Sequence, residues 1–374
     1  MKRSKVAIIT PTFNHERFIA QCIESMRAQT FTDWTACIVD DGSTDRTAEI
    51  AKSIHDDRIK VISQPHKGLY HLAESYNLAL QETDSDLVAI LEGDDYWPED
   101  KLATQVPDFD DPDVVLSSGR FTAVRDSDGF TKVKPDILPS DAALVNEPVG
   151  EAFLALFHLS HLTFTWPVAT VIRRRALEAI GGFWQPPNLP IVDLPTFAKL
   201  AFQGRFAYHK DQSLGFWRRH GASASSTNLA VQLGGVHHLL GEMLVTPEAA
   251  VLSSERINEL DDLWASNQVH RLVLLARILS RDGRKNDART ALLQAKKFRS
   301  GPKRRAKIQV GLSAMSMGIP LESVYPNLGM GNLEDQLKVA GVDSLVEASL
   351  FESMPIPLDL VAAHQKIKKS DRIS

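Results

Sequence analysis

Asp86-Leu87-Val88-Ala89-Ile90-Leu91 runs directly into Glu92-Gly93-Asp94-Asp95. The first six residues are nearly all apolar, and a strand apolar on both faces belongs inside a sheet that is covered on each side. The next four are acidic around one glycine, so the chain leaves that buried strand into a polar turn. In open α/β sheets, ligands settle beyond the carboxyl ends of the strands. The turn after Leu91 is therefore the first place to look for chemistry.

Upstream, Val6-Ala7-Ile8-Ile9-Thr10, Thr35-Ala36-Cys37-Ile38-Val39 and residues 59–63 read as three more strands. Phe18, Ile19, Cys22, Ile23 and Met26 fall at helical spacing between the first two and mark one buried stripe. Leu69, Leu72, Ala73, Tyr76 and Leu80 do the same before the fourth strand. Asp40-Asp41-Gly42-Ser43-Thr44-Asp45 is a turn-rich loop feeding a helix near 46–54, with Ser43 or Thr44 as N-cap. Strands alternating with helices predict an α/β fold on a mostly parallel sheet flanked by helices.

Beyond Val114 the pattern loosens. Strands are expected at 114–116 and 168–172, with a polar loop from Arg125 to Lys134. Past Ser226 the periodicity is helical, with Leu263, Leu272, Leu275 and Ile278 in one pattern and residues 288–298 in another. The segment from Asp282-Gly283-Arg284 through Ala291 and Ala295 is similar to half of a tetratricopeptide-type hairpin; with no second copy, it reads as a helical hairpin. A Ser- and Ala-rich stretch from Gly221 to Asn228 marks the expected boundary between a domain at 1–226 and a mainly helical region at 227–374.

The 374 residues are 43% hydrophobic and 24% charged, enough for one large domain and a smaller one. Net charge is -5, which removes the electrostatic case for gripping nucleic acid through its phosphates. The two cysteines, Cys22 and Cys37, lie inside apolar-periodic segments and read as small buried hydrophobes, without a disulfide or zinc site. That cysteine usage fits a reducing, cytoplasmic compartment. The apolar run after the basic N-terminus is too short for a signal peptide, and no run is long enough for a membrane span.

Three strand ends are polar: Thr10-Pro11-Thr12-Phe13-Asn14, Asp40-Asp41-Gly42-Ser43 and Glu92-Gly93-Asp94-Asp95. Carboxylates converging at one sheet edge repel each other unless a cation or a hydrogen-bonding ligand occupies the crevice. Further along come Asn77 with Leu80, Tyr96-Trp97-Pro98, Ile172-Arg173-Arg174, Ile180-Gly181-Gly182-Phe183, Val192-Asp193 and Trp217-Arg218-Arg219-His220. This ordered succession, over residues 5–226, resembles the family 2 glycosyltransferases of the GT-A fold.

The resemblance implies a GT-A-type, Rossmann-like sheet and an inverting transfer of a sugar from a nucleotide-sugar donor (a UDP-, dTDP- or GDP-sugar) to a hydroxyl. It implies a saccharide or lipid-linked acceptor in bacterial cell-surface polysaccharide or glycolipid synthesis. Donor binding falls to Thr10, Pro11, Asn14, Asp41, Glu92, Gly93, Asp94, Arg218 and His220, with Thr10 and Asp41 touching base and ribose. Asp94 and Asp95 become the holders of Mn²⁺ or Mg²⁺, and Asp193 the general base. Three positions depart from the family pattern: Glu92 where Asp is frequent, Tyr76 where Arg is frequent, and Val192 where a carboxylate precedes the base. The last change removes one source of an upward pKa shift at Asp193.

On the residues alone, Asp193 also reads as the N-cap of a helix at Leu194-Pro195, which leaves one carboxylate oxygen free. Arg218-Arg219-His220 also reads as a basic surface turn. Lys296, Lys297, Arg299, Lys303, Arg304, Arg305 and Lys307 form a basic cluster that reads either as a solvated helix face or as a peripheral contact with the inner face of an anionic membrane. Two other functions stay open: a sugar nucleotidyltransferase, which would usually carry a Gly-rich basic loop after the first strand, and a non-catalytic nucleotide-sugar-binding homologue. Neither a phosphate-binding G-x-x-x-x-G-K-[ST] nor a strand-linked G-x-G-x-x-G occurs, which disfavours kinases and dinucleotide oxidoreductases.

Overall fold

The computed structural model describes residues 3–125, 128–134, 149–158, 165–187, 189–220, 239–298 and 301–325. They divide into two compact units, Met1–Arg219 and His220–Ser374. The boundary expected near residue 226 lies outside the described residues.

The first unit is a sheet of eight strands: β1 (Ser4–Thr12), β2 (Trp34–Asp40), β3 (Ile59–Ser63), β4 (Ser85–Ile90), β5 (Val114–Arg125), β6 (Thr131–Lys134), β7 (Val171–Arg173) and β8 (Arg205–Arg219). The spatial order is β3-β2-β1-β4-β7-β5-β6, with β8 on β5. The pairs β3–β2, β2–β1, β1–β4 and β5–β8 are parallel, whereas β7 and β6 run antiparallel to their neighbours. Six strands therefore point one way, and β1, β2, β4 and β8 deliver their carboxyl ends to one rim. The strand order reverses between β1 and β4, which is where a ligand crevice opens in such sheets.

Burial explains the placement. Every residue of β2 is buried, as are Leu87, Val88, Ala89 and Ile90 of β4. Helix α1 (Ile19–Arg27) presents Ile19, Cys22, Ile23 and Met26 to the sheet, each with no exposure, and Phe18 beside them is 5% exposed. Helix α3 (Leu72–Gln81) buries Ala73, Tyr76, Ala79 and Leu80. The predicted stripes are thus the packed ones. Burying such a side chain contributes about 1.5–3 kcal/mol.

Three expectations need correction. Residues 131–134 are not loop: they form β6, an exposed edge strand whose alternating lysines keep it solvated. The stretch 168–172 begins as a single helical turn at Pro167–Ala169, and only Val171–Arg173 pairs as strand. Neither Ser43 nor Thr44 caps the helix that follows, α2 (Thr47–Ser53). Arg46 takes the cap position, and Asp45 just before it accepts the Thr47 N–H on Oδ1 at 2.9 Å.

The second unit is helical where described, with helices at Ser254–Arg281, Lys285–Lys297 and Pro302–Ser316. Leu272, Leu275, Ile278, Ala288, Ala291, Leu292 and Ile308 share one core, which is the expected hairpin extended by a third helix. Ser253 caps the first helix, accepting the Arg256 N–H at 3.2 Å.

Candidate active site

The rim between β1 and β4 is closed tightly. The Gly93 N–H donates to Pro11 O at 3.1 Å. A Cβ at Gly93 would stand 2.4 Å from Thr12 Oγ1 and 2.7 Å from Thr12 Cβ, so only glycine lets the β4 turn lie against β1. Gly93 and Pro11 therefore shape the crevice floor. Thr12 Oγ1 in turn lies 3.1 Å from His15 Nδ1, and His15 Nε2 lies 3.9 Å from Asp94 Oδ2. Sequence reading missed His15; its position just after a strand end was the available signal. Thr10 is fully buried within β1, with its hydroxyl lacking a hydrogen-bond partner.

The turn after β2 is bound to the turn after β1 by reciprocal hydrogen bonds. Asn14, with φ of +56°, donates its N–H to Ser43 Oγ at 2.9 Å and accepts the Thr44 N–H on Oδ1 at 2.8 Å. Asn and Asp are among the few residues that tolerate this left-handed backbone. Asp41 is committed as well. Its Oδ1 accepts from Gln64 Nε2 at 2.7 Å and from the Lys67 N–H at 3.1 Å. Its Oδ2 accepts the Gly68 N–H at 3.0 Å and lies 3.0 Å from His66 Nδ1. Asp41 thus organises the loop after β3, and His66 from that loop stacks on Phe13 with ring centroids 4.1 Å apart.

The acidic turn itself is held from below. Asp95 has no exposure; its Oδ1 accepts the Arg218 N–H at 2.7 Å, and its Oδ2 is buried without a partner. Arg218 lies inward between Phe18 and Tyr96, donating from Nε to Asp94 O at 2.8 Å and from Nη2 to Gln21 at 2.7 Å. Its guanidinium fixes the turn from behind. Tyr96 pairs backbone to backbone with Phe216 of β8 and stacks on its ring at 4.5 Å. Trp97 donates to Val168 O at 2.7 Å.

Glu92, Asp94 and Asp95 offer ligand oxygens that all lie within 4.8 Å of one another. Burial and the neighbouring carboxylates Asp94 and Glu92 push the Asp95 pKa well up. Burial, then Asp94, raises Glu92 to about 8. Like charges at this spacing, around a buried oxygen with no donor, are what a divalent cation relieves. The residues present therefore fit such an ion.

Asp193 is the first residue of α7 (Asp193–Leu200), with Val192 in the cap position. Burial raises its pKa, partly offset by the Leu194 N–H. Its charge in turn raises both Glu92 and Tyr76. His220, the residue after β8, begins the second unit.

Sheet order, crevice and acidic turn together make an α/β domain with a ligand crevice at the carboxyl rim of its sheet. The family model described as "Glycosyl transferase family 2" matches residues 7–181. That match takes in 175 of the 374 residues and most of the sheet-bearing unit. The chain is 29% identical over 227 residues to the putative teichuronic acid biosynthesis glycosyltransferase TuaG of Bacillus subtilis, covering 59% of this chain and 81% of that one. With other curated relatives the similarity is more limited: the chain spans 41%, 34% and 48% of the length of three of them. Among solved structures, S. aureus TarS 1-349 in complex with UDP-GlcNAc superposes with a TM-score of 0.54 at 16% identity, covering 99% of this chain and 92% of that one. The mannosyltransferase PcManGT from Pyrobaculum calidifontis, in complex with GDP-Man and Mn2+, gives 0.51 at 18%, covering 90% and 88%. The fold is GT-A.

Proposed function

We propose that the chain is an inverting glycosyltransferase that moves a sugar from a nucleoside-diphosphate-sugar donor to a hydroxyl acceptor. The observation that carries this is the triad Glu92, Asp94 and Asp95 at the β1–β4 crevice, with a buried, unpartnered oxygen on Asp95 and the raised carboxyl of Asp193 beside it. Asp193 takes the proton of the acceptor hydroxyl. The acceptor oxygen forms its bond to the anomeric carbon as the carbon–oxygen bond to the diphosphate breaks, and a single displacement inverts that carbon. A carboxyl pKa raised toward working pH makes Asp193 a stronger base than an ordinary aspartate. Asp94 and Asp95 would hold Mn²⁺ or Mg²⁺, which supplies charge neutralisation at the departing nucleoside diphosphate.

The donor-side assignment keeps Asp94 and Glu92 as contacts, with Thr10, Pro11, Asn14, Asp41, Gly93 and Arg218 shaping the walls and His220 adjoining them in sequence. The nucleotide is a UDP-, dTDP- or GDP-type diphosphate, consistent with the UDP-GlcNAc and GDP-Man of the two structural neighbours. The acceptor is a surface saccharide or its lipid-linked intermediate, met at the cytoplasmic face of the membrane.

That last point draws on the second unit. Residues 288–321 carry eight basic residues and no acidic one in a chain of net charge -5. Lys296, Lys297, Lys303, Arg305 and Lys307 are exposed, and so are Val310, Met317 and Ile319 on and just after the last long helix. Basic residues beside exposed aliphatic ones suit an anionic bilayer surface. Arg299 and the side chain of Arg304 lie outside the described residues. No described helix is long and apolar enough to cross a membrane.

Nucleotide release tests the reading. Transfer with nucleoside diphosphate released from a sugar nucleotide, lost in Asp193→Asn, supports it. Pyrophosphate released from a nucleoside triphosphate and a sugar phosphate would instead indicate a nucleotidyltransferase. Donor binding without turnover across a broad acceptor panel would indicate a non-catalytic homologue.

A further inference from the structure

Two departures from the family pattern, Tyr76 and Glu92, touch each other. The Tyr76 hydroxyl, on the inward face of α3, donates to Glu92 Oε1 at 2.6 Å. Tyr76 is 2% exposed, and its ring is tilted against Phe183 at 5.0 Å. Its neighbour Asn77 exchanges two hydrogen bonds with Phe183, both 2.8 Å, at a turn where Gly182 has no room for a Cβ beside Asn77 Oδ1. The same turn continues to Trp184, whose N–H donates to Thr196 on α7 at 3.0 Å, and α7 begins at Asp193. The phenol is thus held from both sides and cannot swing away from Glu92.

With Oε1 engaged, Glu92 keeps Oε2 for the crevice. Glu92 is part of the acidic cluster, its oxygen within 4.8 Å of those of Asp94 and Asp95, and the charge of Asp193 also reaches it. In a direct displacement the transferred sugar must lie between its diphosphate, on the Asp94–Asp95 side, and Asp193. An oriented carboxylate oxygen at that place is an acceptor for a sugar hydroxyl. We infer that Tyr76 is a positioning residue that fixes Glu92 so that its free oxygen reads a hydroxyl of the transferred sugar, making the pair a determinant of which sugar is used.

The inference rests on the glycosyl-transfer reading, and affinity measurements separate the two. Calorimetry in Mn²⁺ would compare UDP with UDP-glucose and UDP-GlcNAc, and GDP with GDP-mannose, on wild type, Tyr76→Phe, Glu92→Asp and the double variant. Losing an oriented partner at a buried polar contact should weaken the bound sugar nucleotide about tenfold in each single variant. In Tyr76→Phe, which leaves every carboxylate of the cluster in place, the matching diphosphate has no sugar hydroxyl to read and should stay within about twofold, so it also reports an intact fold. The double variant should lose no more than the worse single one. Equal weakening of diphosphate and sugar nucleotide, or fully additive losses, would overturn the inference while leaving glycosyl transfer standing. Failure of the wild type to bind any sugar nucleotide would overturn the functional reading and this inference with it.

Discussion

Asp95→Asn separates what the acidic turn does for folding from what it does for binding. The asparagine keeps an oxygen for the Arg218 N–H, now bonded at 2.7 Å, and removes a charge that is fully buried, unpartnered on Oδ2 and crowded by Asp94 and Glu92. A buried polar or charged group lacking its partner costs about 1–3 kcal/mol. For a unit of this size each kcal/mol moves the melting temperature by about 2–4 °C, so the metal-free variant should melt about 2–12 °C higher than wild type. With Mn²⁺ the order should invert. An ion present at a hundred times its Kd stabilises the wild type by about 2.7 kcal/mol, and the variant should gain little of this.

The pH dependence has a definite sign. Glu92 is raised to about 8 in the folded protein, against about 4.3 in an unfolded chain. Between those values the folded state binds more protons, so stability must fall as pH rises through that window. Metal-free wild type should therefore lose melting temperature from about pH 5 to pH 8, and Asp95→Asn, with less repulsion at Glu92, should lose less. Thermal melts in EDTA and in Mn²⁺ across this range measure all three quantities. A variant that melts lower than wild type in EDTA, or that keeps the full Mn²⁺ shift, would refute the electrostatic account of the site.

Burial of Asp193 places the acid limb of kcat/KM above the ordinary aspartate range near 3.9, so the rate rises with pH as the base deprotonates; Asp193→Asn should abolish transfer yet bind donor, and a rate already flat at and above pH 4 would contradict this. Gly93→Ala forces a methyl to within 2.4 Å of Thr12 Oγ1 and should cost about 1–3 kcal/mol, seen as a lower denaturation midpoint; an unchanged midpoint would show that the β1–β4 rim is looser than described. Removing three exposed charges together, Lys303, Arg305 and Lys307 to Gln, should cost about 3 kcal/mol of attachment to phosphatidylglycerol vesicles, on the order of a hundredfold. Equal co-sedimentation of wild type with neutral and anionic vesicles would remove the membrane reading.

The parallel core was legible because its signals are local. A run such as Leu87 to Leu91 is apolar on both faces, and the helix stripe Ile19, Cys22, Ile23 and Met26 is read from spacing alone. The edges were less legible for the same reason. Thr131–Lys134 pairs only through backbone groups, so its side chains carry no burial pattern, and it reads as loop. The strand-end acids were found because turn chemistry and topology agree on where they go. Which of them are consumed by the protein was not readable. Asp41 looks like a ligand-binding carboxylate until Gln64, Lys67 and Gly68 arrive on it from 23 to 27 residues away. His15 and the Tyr76–Glu92 bond are likewise products of tertiary approach.

That distinction changes what the site is. Asn14, Asp41 and Arg218, all plausible donor contacts from their order in the chain, spend their polar atoms on binding the rim's loops to one another. The proposed chemistry therefore rests on Asp94, Asp95, Glu92 and Asp193. Arg218, which packs on the acidic turn, has its guanidinium engaged with Asp94 O and Gln21, and position 76 contributes a neutral phenol where an arginine is frequent. Two unit charges 4 Å apart interact by about 4 kcal/mol at the effective dielectric of a protein surface. A diphosphate approaching this turn without positive charge of its own would therefore be repelled by several kcal/mol. If this turn receives the donor diphosphate as proposed, a cation held by the same acids would offset that repulsion, while the hydrogen-bonded rim around them keeps the carboxylates together against their own repulsion.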